Sequence, residues 1–149
     1  MKILLVYPPV GTKLSNVTPG QFGELDIGNY PPLGLMYVGA YLEKFSGHEV
    51  EILDSVAERV ALEDISEIIA QKKPDVIGVY TSCFTLYYAY AISRVAKALN
   101  KEIPVVLGGP HVDIYPEETL GLPSVDYVVM GEGEVTVKEL LNALQSNKD

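Results

Sequence analysis

Three short segments concentrate groups suited to gripping a ligand: Thr81-Ser82-Cys83, Gly108-Gly109-Pro110-His111 and Gly131-Glu132-Gly133-Glu134. The glycines at 108 and 109 let backbone approach a bulky molecule or take a positive φ, and Pro110 then stiffens the exit. A plain tight turn uses the same residues. Glu132 is free to reach a ligand hydroxyl or amide, whereas Glu134 at a helix start is explained by the helix dipole. Tyr30, Tyr80, Tyr87, Tyr88 and Tyr115 lie on or beside the same region. Each offers a flat apolar face and a hydroxyl, suited to a large apolar plane with a polar rim; ordinary packing is the alternative for each. These segments supply no nucleophile–histidine–acid set and no metal-ligand cluster, so a complete small enzyme is the weaker reading.

Phosphate chemistry is also poorly served. A dinucleotide fingerprint needs glycines where the first strand enters its helix, but the chain there reads Tyr7-Pro8-Pro9-Val10-Gly11. Proline removes two of the amide donors such a cradle uses. Gly131-Glu132-Gly133 is half a fingerprint after the wrong strand. A Walker P-loop, a phospho-acceptor aspartate after Tyr80 and a Ser/Thr-rich flavin phosphate loop are all missing. Of the 11 basic residues only Lys13 falls in the candidate loops. A mostly uncharged, hydrogen-bonding ligand fits that census better than a polyphosphate.

The net charge of −9 argues against binding a nucleic-acid backbone, which is neutralised by Lys and Arg. No apolar run approaches the roughly 20 residues that span a bilayer. The run after Lys2 is too short for a signal-peptide core. Cys83 is the one cysteine, which excludes an internal disulfide and an all-cysteine iron–sulfur cluster. The expected compartment is the cytoplasm.

The elements that must position these groups are legible from periodicity. At 149 residues, with 48% apolar and 21% charged residues, the chain suits one globular domain. Apolar, β-branched runs at 3–7, 50–53, 76–80, 105–107 and 127–130 read as strands buried on both faces. Between them lie stripes of helical period: Leu35, Val38, Leu42 and Phe45; Leu62, Ile65, Ile68 and Ile69; Ala89, Ile92, Ala96 and Leu99. Val137, Leu140, Leu141 and Leu144 form a last stripe, and Pro116 to Leu120 allows only a short helix.

This alternation predicts an α/β flavodoxin-like (Rossmann-like) three-layer sandwich with a five-stranded parallel sheet ordered 2-1-3-4-5. The carboxyl edge of that sheet gathers the loops 8–32, 81–86, 108–116 and 131–134. The first is long and rich in Gly and Pro, and it leaves strand 1 at the switch point, so a ligand or partner role is expected.

In order and spacing the segments resemble the cobalamin-binding domain at the N-terminus of many radical S-adenosylmethionine enzymes. The matching pieces are Lys2-Ile3-Leu4-Leu5-Val6-Tyr7-Pro8-Pro9, Tyr30-Pro31-Pro32-Leu33-Gly34-Leu35 and Gly47-His48-Glu49-Val50. Pro74-Asp75-Val76-Ile77-Gly78, Gly108-Gly109-Pro110-His111, Asp126-Tyr127-Val128-Val129 and Gly131-Glu132-Gly133-Glu134 complete them. That family includes corrinoid-dependent methyltransferases and the anaerobic magnesium-protoporphyrin monomethyl ester cyclase. The resemblance implies a corrinoid on top of the sheet, its nucleotide tail running down beside the strands. Its contacts would be Pro8, Pro9, Tyr30, Leu33, Gly34, Tyr80, Thr81, Ser82, Gly108, Gly109, Pro110, His111, Gly131, Glu132 and Gly133.

The chain departs from that pattern at two places. Domains that ligate cobalt carry D-x-H-x-x-G after strand 1, and here that loop has no histidine. His48 precedes strand 2 at the opposite edge, and His111 is read as a cofactor contact or loop residue, so no axial histidine from the protein is expected. Tyr80 stands where many corrinoid domains have a serine, and its bulk is expected to narrow the slot, with Thr81 and Ser82 as substitute hydroxyls. Radical chemistry needs a C-x-x-x-C-x-x-C motif for a [4Fe–4S] cluster and S-adenosylmethionine, which this chain lacks. Residues 1–149 are therefore expected to be one module, not catalytic alone. It would serve a C-terminal radical S-adenosylmethionine domain in cis or in trans, with the linker beginning near Gln145. The alternative is a ligand-free interaction or regulatory domain.

Overall fold

A computed structural model of the protein describes residues 1–9 and 30–146. Five strands are present: β1 (Lys2–Tyr7), β2 (Glu49–Asp54), β3 (Val76–Tyr80), β4 (Val105–Gly108) and β5 (Tyr127–Val129). The helices are α1 (Leu33–Ser46), α2 (Ile65–Lys72), α3 (Leu86–Leu99), α4 (Pro110–Ile114), α5 (Pro116–Leu120) and α6 (Gly133–Ser146). A 3₁₀ turn at Leu62–Asp64 leads into α2. All strand pairs are parallel, and the order is β2-β1-β3-β4-β5, the topology that the strand–helix alternation predicts. Most of the long connection at 8–32 lies outside the described residues. Among the described residues no helix is long and apolar enough to cross a membrane.

Alternation along each strand splits the core in two. Leu4, Val6, Ile77, Val79, Val105 and Leu107 pack with Ile65 and Ile69 of α2 and Ala89, Ile92 and Ala96 of α3. Ile3, Leu5, Val76, Val106 and Val129 point the other way, with Leu42 of α1 and Leu141 of α6. A parallel sheet buried on both faces requires this, and it explains why its strands read as continuous apolar runs.

Two aspartates fix the strand registers at the amino edge. Asp75 accepts the Lys2 amide at 2.8 Å, and its own amide donates to the Lys2 carbonyl at 2.8 Å. Asp126 repeats the device one strand pair away. Its carboxylate accepts the Val105 amide at 2.7 Å, and its amide donates to the Val105 carbonyl at 3.0 Å. Lys97 closes on the Asp126 carboxylate at 2.6 Å. On the edge strand β2, Glu51 pairs with Lys2 at 2.8 Å and with Lys72. Hydrogen bonding to these lysines holds the Glu51 carboxyl below the usual range. That contribution is present at neutral pH and fades as pH falls through the acid range. Such charges also blunt an edge open to further pairing.

Three local features depart from the sequence reading. Pro110–Ile114 is a helix, not loop: Pro110 opens it, as proline suits a first helical turn, and five residues are too few to show a period. Phe45 is half exposed against the Tyr41 ring, 4.7 Å away, because α1 ends at Gly47 in the left-handed conformation and leaves the sheet. Leu99, at the last turn of α3, is also half exposed.

Replacing Asp126 with alanine strips a backbone amide of its acceptor and Lys97 of its carboxylate partner, leaving it the Lys101 and Ile103 carbonyls. We expect Asp126→Ala to lower unfolding free energy by about 1–3 kcal/mol, read by urea denaturation. An unchanged midpoint would show that the register is held elsewhere.

Candidate cofactor site

On the face toward α1 and α6, glycine replaces the side chain that β3 and β4 would otherwise present. The residues facing that way are Val76, Gly78 and Tyr80 on β3, and Val106 and Gly108 on β4. The result is a slot of about 330 Å³ between the sheet and the two helices. Its walls are Ile3, Leu5, Leu35, Val38, Val106, Val129, Val137 and Leu141, and it reaches from Tyr80 down to Val76. Four strand steps make that depth about 13 Å. A Cβ at Gly78 would sit 2.8 Å from Leu5 Cδ2, so any side chain there would have to push the Leu5 methyl aside.

The mouth is built at the carboxyl edge by backbone geometry. The Thr81 amide donates to the Gly108 carbonyl at 2.7 Å, and the Thr81 carbonyl accepts the His111 amide at 3.1 Å. Between those two bonds Gly109 turns at φ +114°, where a Cβ would meet the Thr81 carbonyl oxygen at 2.8 Å and the Tyr80 ring at 3.2 Å. Only glycine tolerates that elbow. Asp113 on α4 accepts the Gly131 amide at 2.7 Å, tying the β4 and β5 exits together. Gly131 itself sits at φ +65°. Tyr80 packs on Tyr7 at 5.1 Å between ring centroids. Burial, then the neighbouring Tyr7 hydroxyl, pushes the Tyr80 phenol above its usual value, so it stays neutral at physiological pH. Asp113, Glu132 and Glu134 are the charged lining groups, and no Lys or Arg joins them among the described residues.

A family profile described as the B12 binding domain matches residues 27–141, most of the chain. The chain belongs to the B12 binding domain family. An uncharacterized methyltransferase of Pyrococcus horikoshii is 40% identical over 150 residues, covering all of this chain and 30% of that protein. The anaerobic magnesium-protoporphyrin IX monomethyl ester cyclase of Rubrivivax gelatinosus is 29% identical over 99% of this chain and 25% of its own length. The cobalamin-dependent S-adenosylmethionine radical enzyme OxsB, solved with aqua-cobalamin bound, shares the fold. It matches with a TM-score of 0.74 at 19% identity, over 97% of this chain and 19% of that one. This B12 binding domain thus spans under a third of the length of these relatives.

Of the contacts expected within the B12 binding domain, Gly34, Tyr80, Gly108, Gly109, Pro110, Gly131, Glu132 and Gly133 line the slot together. The other expected contacts stand apart from its lining. Thr81 is fully buried and knits the β3 and β4 exits. Ser82 turns inward to Thr85, whose Oγ1 accepts the Ser82 amide at 2.8 Å. Pro8 is buried behind the β1 exit and Pro9 is half-buried, while Tyr30 and Leu33 are exposed. His111 is buried, its Nδ1 3.6 Å from Cys83 Sγ and its ring 5.3 Å from Tyr115. His48 lies at the far edge, 3.5 Å from the Met1 amine, where burial lowers its pKa. No cluster of three or more His, Cys, Asp or Glu able to hold a metal exists among the described residues.

Tyr80 forms the upper wall of the slot with its ring against Tyr7 and Gly109, and the space below it remains open. The sequence reading missed the deep lining, above all Gly78, and it missed Asp113. Gly78 carried a signal: glycine inside a strand of β-branched residues marks a close approach.

The elbow generates a direct test. Gly109→Ala is expected to cost about 1–3 kcal/mol of stability, because the conformation is essentially restricted to glycine and the added carbon meets a carbonyl. Thermal unfolding of the variant measures it, and an unchanged transition would refute the strain argument.

Proposed function

We propose that this B12 binding domain holds cobalamin with its nucleotide tail in the slot between the sheet and α1 and α6. The observation that carries the reading is the strip of missing side chains at Gly78 and Gly108, on the family's own fold. The residues present fit such a group. Aliphatic walls suit a flat aromatic base, and backbone at Gly108, Gly109 and Gly131 leaves room for a broad ring above. Cobalamin is rimmed by neutral carboxamides, so Glu132 and Asp113 serve as acceptors for amide N–H groups rather than as partners for a cation.

Bound cobalamin supplies the organometallic and radical chemistry, and the protein's share is binding, orientation and exclusion of water. Neither histidine lines the slot, so the lower face of the corrin is proposed to lack a protein imidazole. We take residues 1–149 as one module of a longer enzyme. A radical S-adenosylmethionine domain, in cis or in trans, brings the [4Fe–4S] cluster and S-adenosylmethionine. The longer relatives point to methyl transfer or ring cyclisation as the reaction so served.

Titration with hydroxocobalamin, desalting and an absorbance spectrum tests this reading. Retained cobalamin in the base-off form is expected, and folded protein that emerges colourless would refute it. Gly78→Val fills the slot with a residue that suits a strand. It should weaken retention about tenfold or more while circular dichroism stays unchanged. Equal retention would place the corrinoid elsewhere.

A further inference from the structure

The depth of the slot differs chemically from its mouth. Among the described lining residues every hydrogen-bonding side chain is at the upper end: Tyr80, Asp113, Glu132 and Glu134. Below them the walls are aliphatic, with Ile3, Leu5, Val38, Val76, Val106 and Leu141. Backbone cannot make up the deficit on the sheet side. Gly78 is in register between Leu5 on β1 and Val106 on β4, so its amide and carbonyl are committed to the ladder. A polar group carried to the level of Gly78 gives up water and finds no side-chain partner among the described lining residues, which is the costly way to bury one.

We infer that this slot selects among corrinoids by the polarity of the lower base. It accepts an apolar benzimidazole-type base and discriminates against bases whose edge carries hydroxyl or amino groups. The inference rests on the proposed cobalamin reading and adds a specificity that the reading alone does not contain. The determinant is Leu5, Val38, Val106 and Leu141 around Gly78, and not the acidic mouth, which meets only the corrin rim.

The test compares three corrinoids on the full chain by equilibrium titration. One carries dimethylbenzimidazole and one hydroxybenzimidazole; the third is cobinamide, which has no nucleotide tail. The two benzimidazoles coordinate cobalt through the same imidazole nitrogen, so differences in opening that bond are small. The dimethyl form is expected to bind about tenfold tighter than the hydroxy form, with cobinamide weakest. Val106→Thr, which adds a hydroxyl to the slot wall beside Gly78 at nearly constant volume, should narrow the gap between the two bases. Val38→Thr is a second such variant should the first fail to fold.

Equal binding of both bases, each tighter than cobinamide, would overturn the selectivity and leave the cobalamin reading standing. Equal binding of all three would remove the tail from the slot and overturn both. No binding of any would overturn the reading itself.

Discussion

A parallel sheet has to be covered on both faces, and here one cover is deliberately incomplete. Toward α2 and α3, β-branched and leucine side chains interlock with two helices and leave the sheet sealed. Toward α1 and α6 the same strands present Gly78 and Gly108 in the middle of the row, and the helices bridge a gap rather than close it. Around the gap the cover is packed: Leu42 and Leu141 are fully buried, and Gly133 lets α6 approach Val38. A void in a close-packed interior forfeits contacts on every wall, so an apolar occupant of matching shape restores what the sheet gave up.

The opening of the gap is set by main-chain bonds and one carboxylate tie, and not by side chains reaching for a ligand. Thr81 is held between Gly108 and His111, Gly109 takes an elbow no other residue fits, and Asp113 anchors Gly131. Each tie joins the exit of one strand to the next, so the mouth moves only if the sheet edge moves. Sites resting on such supports keep their geometry before the ligand arrives, which reduces the ordering cost of binding. The acids around this mouth lack a facing cation among the described lining residues, a poor arrangement for polyphosphate and a serviceable one for amides.

The strands and their order were legible because burial on both faces writes a continuous apolar run, and right-handed crossovers leave few topologies. The glycine-rich exits at 108, 109, 131 and 133 were legible for the same reason that they matter: backbone without a side chain is a visible departure from the run. Thr81 was read as a substitute hydroxyl where the family has a serine, and His111 as part of the Gly108-Gly109-Pro110-His111 pattern. The structure uses the Thr81 main chain to join β3 to β4 and turns the His111 ring toward Cys83. Neither orientation is written in residue type.

What the sequence determined by itself was the α/β class, the strand order, the family and the loops that gather at the carboxyl edge of the sheet. Periodicity and composition report on burial, and burial dictates those features. What only the tertiary structure decided was which face of the sheet is open and what chemistry its depth has. Gly78 borders a slot because Leu5, Val106 and two helices from distant parts of the chain come within reach of it. A cavity belongs to the space between elements, and no local pattern along one strand encodes the distance to its neighbours.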